Sequence, residues 1–577
     1  RSETFNLPVI DPTAEALLFS EVLEGTGAPA GTVQVYSMQF SRGRVPAGAS
    51  IVGKIDGVAI RTQAEINTTW PDGSACDVLM AIELPLIANT ATKTLEYWTG
   101  VHPSPGPTLD LATQLSGVPV VANITPLSGT PWSYDLTANL PVGRVRTGPL
   151  VSEVRFRLPV PAESFSGSNA GGLWLNLWVT KDGAIFVDTW VVNFLMLVEI
   201  NTATFGVLAS LGFTVTVGGV TVISRSTTGM ARNSGSVRVV AGIKAGSPVS
   251  MDAVYIRPNI SEMVACGTSL LYDTTKGMAT TFLALVQGRL ADTANWDKWT
   301  TNGTRLPLRS LLDGAPTGDN ENVYGIPHDN GAAAFIVTGH RDFWRYTIGR
   351  AEAMGASQYF SWHRVGNRWP NNRDYPNGRA WSGNIYTGQS FADDRAHHPM
   401  CEPLAALRSG RQLLRDSLIG YAHGESMDGY QTYGTPPVRA WSGPDRQLRT
   451  GGYTTAIMAI ARLIISPSHP DVAVGWIDES LGKNLDFQRA WLVTEQGRFG
   501  ETWGRFRHEN DPAWYPPWMD NLWTMSLCLL AQQQFPNALD TIQKRGNFQW
   551  IGWLQTGLRW PDNMVAYYMP VSASGAG

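Results

Sequence analysis

Residues 333–349 read AAFIVTGHRDFWRYTIG, and residues 404–420 read LAALRSGRQLLRDSLIG. Both have the same layout. An apolar run with helical spacing ends at a small residue followed by glycine, Thr338-Gly339 in one and Ser409-Gly410 in the other. A second helical run then ends in Ile-Gly. Glycine just past a helix supplies the left-handed cap that ends it. The two stretches start 71 residues apart, one helix hairpin plus a long loop. Residues 446–465 with 474–493, and 518–533 with 537–554, predict two further hairpins. Repeated hairpins stack as a solenoid or close into an (α/α) toroid. The connecting loops are long, aromatic and Gly-rich, which favours the toroid, since such loops line its central cleft.

Upstream of about residue 265 the pattern changes to turn-bounded runs rich in Val, Thr and Ile, the signature of strands. Examples are 31–40, 151–158, 173–181, 184–197, 213–222 and 237–243. In LWLNLWVTK (173–181), Trp174 and Trp178 alternate with Leu175 and Leu177, so one strand face carries both indoles. Residues 101–110, VHPSPGPTLD, form a Pro-rich linker. The expected fold is multidomain α+β: a small β-domain over 1–105, a β-sandwich over 106–262, and the helical toroid over 263–577 as the catalytic part.

Composition narrows the function. The chain has 577 residues, 43% hydrophobic, and only 16% charged against a usual quarter. With a net charge of −4, nucleic acid is not an expected partner. No apolar run reaches the length of a membrane span. The chain opens at Arg1 with no signal-like segment, and the expected location is extracellular, periplasmic or virion-associated. Cys76, Cys266, Cys401 and Cys528 lie far apart, predicting free thiols. Phosphate-loop, zincin and serine-hydrolase motifs are missing.

Eight of nine His and 16 of 22 Trp lie in the helical half. Residues 341–450 hold 14 Arg and no Lys, against 10 Asp plus Glu. Guanidinium groups bind carboxylates bidentately and stack on rings, and indoles stack on sugars. The combination suits an acidic polysaccharide; the simpler role for each Arg is a salt bridge. The densest window is 379–402, RAWSGNIYTGQSFADDRAHHPMCE, with Trp381, Tyr386, Asp393, Asp394, Arg395, His397, His398 and Glu402. His398 and Glu402 share a helical face at i, i+4, where a carboxylate can orient a His for acid–base work. His397, His398 and Glu402 could instead ligate a metal. Residues 319–330 add Tyr324, His328 and Asn330; 439–453 add Trp441, Arg446 and Arg449; 501–520 add His508, Glu509, Trp514 and Trp518. All are expected at hairpin loops facing one cleft.

Phe40, Gly43, Val45, Pro46, Gly48, Gln63 and the Trp70-Pro71-Asp72-Gly73-Ser74 turn follow one another within residues 31–85. This pattern resembles the N-terminal RIFT-type barrel of exo-rhamnogalacturonan lyase-like proteins. Residues 398–410, HPMCEPLAALRSG, are similar to a stretch of that family's toroid, with Pro403 where glycine is common. Ala75, Cys76 and Asp77 replace the family's usual lysine or aromatic, so the resemblance is to a distant member. It implies a barrel, a β-sandwich and an (α/α) toroid in that order. The WPDGS turn itself is expected to be structural, since Pro-Asp-Gly is turn chemistry.

The expected activity is β-elimination on a uronate-containing polysaccharide. Arg395, Arg446 or Arg449 would hold the carboxylate, His398 or His397 would take the proton, and Tyr386 or Tyr324 would return one. No cofactor is required by the sequence, though Ca²⁺ could assist. A glycoside hydrolase using Asp394, Glu402 or Glu509 is the nearest rival. A non-catalytic glycan-binding phage tail component, with other virion proteins as partners, is the alternative of a different class.

Overall fold

A computed structural model describes residues 14–100, 106–165, 171–193, 209–230, 234–236, 238–275, 280–291, 326–355, 368–369, 400–428, 430–433, 438–441, 448–469, 472, 474–494, 514–515, 517–554 and 569–570. The chain is mixed α+β, with several antiparallel sheets ahead of a helical half.

The N-terminal strands make two sheets. One has the order Val254–Arg257, Ala16–Gly25, Thr92–Gly100, Ser50–Ile55, Val58–Ala59; the other runs Val33–Gln39, Ala75–Glu83, Thr62–Thr69. Alternating side chains from both, including Leu23, Met38, Met80, Ile82 and Leu95, share one core. No barrel is closed among the described residues, which corrects the barrel expected for 1–105. One strand pairing crosses the expected boundary. Strand Val254–Arg257, placed by the sequence in the second unit, pairs with Ala16–Gly25 in the register Gly25↔Val254 to Val22↔Arg257. The Trp70–Ser74 turn is structural, as expected. Asp72 accepts from the Ser74 N–H at 3.0 Å, Gly73 has φ 83°, and the Trp70 indole donates to Phe40 O at 2.8 Å.

The next unit is a seven-stranded and a four-stranded sheet sharing a second core. Leu173, Leu175 and Leu177 enter that core. Trp174 and Trp178 take the opposite face, as their alternation predicts, but they do not stay within this unit. Trp174 meets Trp190 and Trp369 edge-on at 5.6 and 5.4 Å, and Trp70, Trp174 and Trp190 join the core of the helical half.

The helices are α1 (Leu111–Gln114), α2 (Ile260–Ala265), α3 (Thr280–Ala291), α4 (Asn330–Thr338), α5 (Arg341–Met354), α6 (Glu402–Arg408), α7 (Gln412–Asp428), α8 (Leu448–Ile464), α9 (Val474–Thr494), α10 (Pro517–Gln532) and α11 (Ala538–Leu554). The quoted repeat is the pair of hairpins α4–α5 and α6–α7. Their turn glycines, Gly339 and Gly410, adopt φ of 70° and 68°. Both turns dock on the N-terminal sheets, which supply partners for helix-end carbonyls. Ser37 Oγ and Gln39 Nε2 donate to Leu407 O at 2.8 and 3.1 Å, while Arg257 donates to the carbonyls of Ile336 and Val337.

Buried arginines weld the units together. Arg408 pairs with Glu21, Arg411 with Asp188 and Glu352, and Arg415 with Asp77. Arg238 reaches from the β-region to Glu402, and Asp416 receives Arg155, Arg157 and His469.

Candidate functional site

The site begins where α4 and α6 start. Asp329 caps α4, its Oδ1 accepting from the Ala332 N–H at 2.8 Å, while its other oxygen takes Arg350. The backbone N–H of Asp329 donates to Met400 O at 3.1 Å. That bond joins window 319–330 to window 379–402, two stretches the sequence assigns to one cleft.

His328 lies directly beneath, with no exposed surface, and neither ring nitrogen closes a well-aligned hydrogen bond. Burial pushes its pKa down to about 3, outweighing the nearby Thr268 backbone, so the imidazole is neutral. Tyr272 sits beside it, ring centroids 6.5 Å apart, and its hydroxyl also lacks a well-formed partner. Burial drives that phenol upward, so it keeps its proton. A neutral imidazole and a protonated phenol thus lie side by side. The sequence names His328 for substrate contact; in the structure it is an interior residue, and Asn330 is the exposed residue of the same turn. Tyr272 escaped notice because it stands alone in a stretch without periodicity.

Glu402, a candidate from the 379–402 window, is placed in a buried ion pair. It is 1% exposed, its Oε1 accepts from Arg238 and from Ser417 Oγ at 3.0 Å, and burial raises its pKa against the pull of Arg238. It anchors the start of α6 to the β-region through Arg238. Among the described residues, no three His, Cys, Asp or Glu side chains converge as metal ligands.

The arginine bias is corrected in part. Arg350, Arg408, Arg411 and Arg415 are engaged by buried carboxylates, so they are structural. Arg368 differs: its guanidinium lies 5.1 Å from the ring centroid of half-buried Trp476, and His423 meets the same indole edge-on at 5.6 Å. This His–Trp–Arg group was missed because its members come from three separate stretches.

Tyr324, Trp381, Tyr386, Asp393, Asp394, Arg395, His397, His398, Arg446, His508 and Glu509 lie outside the described residues. Only the backbone is described for Trp441, Arg449, Trp514 and Trp518. Trp441 ends a strand paired with Tyr430–Tyr433, Arg449 is in the first turn of α8, Trp514 pairs with Pro570, and Trp518 opens α10. Compared with known proteins, the chain matches no family model and no curated protein.

Proposed function

We propose that the protein acts on a uronate-containing polysaccharide by β-elimination, with the helical half arranged as an (α/α) toroid behind the two β-units. The observation that carries this reading is the Asp329–Met400 hydrogen bond, which ties the two His- and Tyr-bearing windows together. In the proposed roles, His398 or His397 removes the proton α to the carboxylate. Arg395, Arg446 or Arg449 stabilises the enolate-like charge, and Tyr386 or Tyr324 protonates the leaving oxygen. Trp381, Trp441, Trp514, Trp518, Asn330 and His508 line the sugar path. His328 and Tyr272 support the first window from within.

Incubation with a panel of acidic polysaccharides tests this. Elimination creates a conjugated double bond, so ultraviolet absorbance should rise together with reducing ends. His398→Ala should slow it by about 100-fold or more. Reducing ends without absorbance would assign a hydrolase instead. Binding with no turnover would assign a glycan-binding protein.

A further inference from the structure

The two N-terminal sheets are joined at one point of their facing edges. Gly53, in strand Ser50–Ile55, accepts from the Ile60 N–H at 3.0 Å, and its own N–H donates to Thr62 Oγ1 at 2.9 Å. Toward Ala49 on one side and Ile66 on the other, no strand bridges the two edges among the described residues. There Ser50–Gly53 pair with strand Thr92–Gly100 alone, and Thr62–Thr69 with strand Ala75–Glu83 alone. A groove of about 720 Å³ runs between them, bordered by the Thr147–Pro149 loop of the second unit. Ala49 and Ile51 on one wall belong to the N-terminal core, and Ile60 and Ala64 pack against it, so the groove reaches that core. Ile66, at its rim, is 43% exposed.

The main chain of both walls points into this space. In an antiparallel strand, successive residues turn their N–H and C=O to opposite sides. Gly53 directs both groups away from strand Thr92–Gly100, so Ile51, two residues earlier, does the same. Arg61 O accepts from the Glu83 N–H at 3.0 Å, toward strand Ala75–Glu83. Ala64 and Ile66 have the opposite parity, so their N–H and C=O face the groove. Open strand edges beside exposed core side chains fit an extended peptide with alternating apolar residues. A sugar chain fits less well: it lacks repeating N–H donors, and none of the described lining residues is aromatic.

Residues 1–13 lie outside the described residues, and their sequence carries that pattern: Phe5, Leu7 and Val9 alternate with Asn6 and Pro8. Proline has no N–H to give a ladder, but Pro8 falls in the even set, so Phe5, Leu7 and Val9 keep theirs. The chain also enters the described structure beside the groove. Ala14 O accepts from Thr99 Oγ1 at 3.1 Å, and Thr99 is the register partner of Ile51. Glu15 reaches across to Lys54, on the strand that forms one wall. With strands about 4.8 Å apart, the groove lies roughly 10 Å from strand Ala16–Gly25. The stretch from Val9 to Ala14 can span roughly 17 Å, and Asp11-Pro12 is turn chemistry that lets it reverse. We propose that the groove is the docking site of this chain's own residues 5–9, which add to the open edges as an extended strand, with Phe5, Leu7 and Val9 on the side of Ala49, Ile51 and Ala64.

Hydrogen exchange tests this on the full chain against one lacking residues 1–10. The amides of Ile51, Ala64 and Ile66 should exchange at least roughly 10-fold more slowly in the full chain, with strand Ala75–Glu83 unchanged. Equal rates at the three amides would overturn the proposal. The wild type alone gives a reading that does not require the shortened chain to fold: exchange at those amides as fast as in an unstructured peptide overturns it equally. Disulfide trapping then identifies the occupant. Leu7→Cys, combined in turn with Ala64→Cys or Ile66→Cys and oxidised mildly, should give a cystine within one chain, located by mass mapping. A cystine formed only between two chains would assign the groove to a second copy, and no cystine in either combination would leave residues 5–9 elsewhere; both outcomes defeat the proposal.

Discussion

Gly410 and Gly339 occupy equivalent turns but face different surroundings. A Cβ on Gly410 would lie 2.8 Å from the Tyr36 backbone, and one on Gly339 would lie 2.7 Å from Cδ of the Arg257 side chain. Backbone cannot yield, whereas a side chain can rotate. Gly410→Ala should therefore cost about 1–3 kcal/mol in urea denaturation, and Gly339→Ala less. Equal losses would contradict this account of the docking. Arg415 offers a sharper case. Asp77 is fully buried, and Arg415 is its only cationic partner in the described geometry, with Gln39 and Asn67 donating to it as well. Arg415→Met should cost about 3–5 kcal/mol, because the carboxylate stays behind unpaired. The glycine caps were legible in the sequence, since a helix-ending glycine is a local signal. The arginine roles were not, because their carboxylates lie 223, 338 and 387 residues away along the chain. His328 was named for substrate contact, and its burial was not legible, because it depends on neighbours such as Tyr272 that no local pattern announces.

Helix existence follows from periodicity, and all four expected hairpins have helices at the expected places. What periodicity cannot supply is where a hairpin is anchored. The α6–α7 hairpin is held through Asp416 as well as its arginines. Burial alone would raise that carboxyl, but Arg155, Arg157 and His469 together hold it well below the usual carboxylate range. A carboxylate depressed in this way stabilises the fold above its unfolded pKa, and the contribution is lost as pH falls through its folded one. Below about pH 4 the wild type should lose stability on this account, while Asp416→Asn should start lower at neutral pH and change less. Thermal melts at graded pH would decide it; parallel curves would remove Asp416 from the acid response. The Trp174/Trp178 face was legible from alternation, but its partners were not: Trp174 packs in the helical core, and Trp178 with Val33, Val35 and Ala81 of the N-terminal strands.

At the scale of the molecule, the sequence suggested three separable parts, and the structure shows them sharing ion pairs and a core. Trp70, Trp174 and Trp190 pack with helical residues such as Leu413, Tyr453 and Trp523. Heating should therefore give one cooperative transition, with calorimetric and van't Hoff enthalpies in agreement. Two resolved transitions in the wild type would show the parts to be energetically independent. Placing a double variant, Arg411→Met with Arg415→Met, in the same calorimeter should split the peak. The return of strand Val254–Arg257 to the edge of the first sheet has one more consequence. On the ribosome, the N-terminal sheet must wait for its last strand until the whole intervening unit has been synthesised. At 5–20 residues per second, that delay from residue 100 to residue 257 is roughly 10–30 s. For that interval the nascent chain carries an unfinished sheet with an open edge, the kind of surface that chaperones cover.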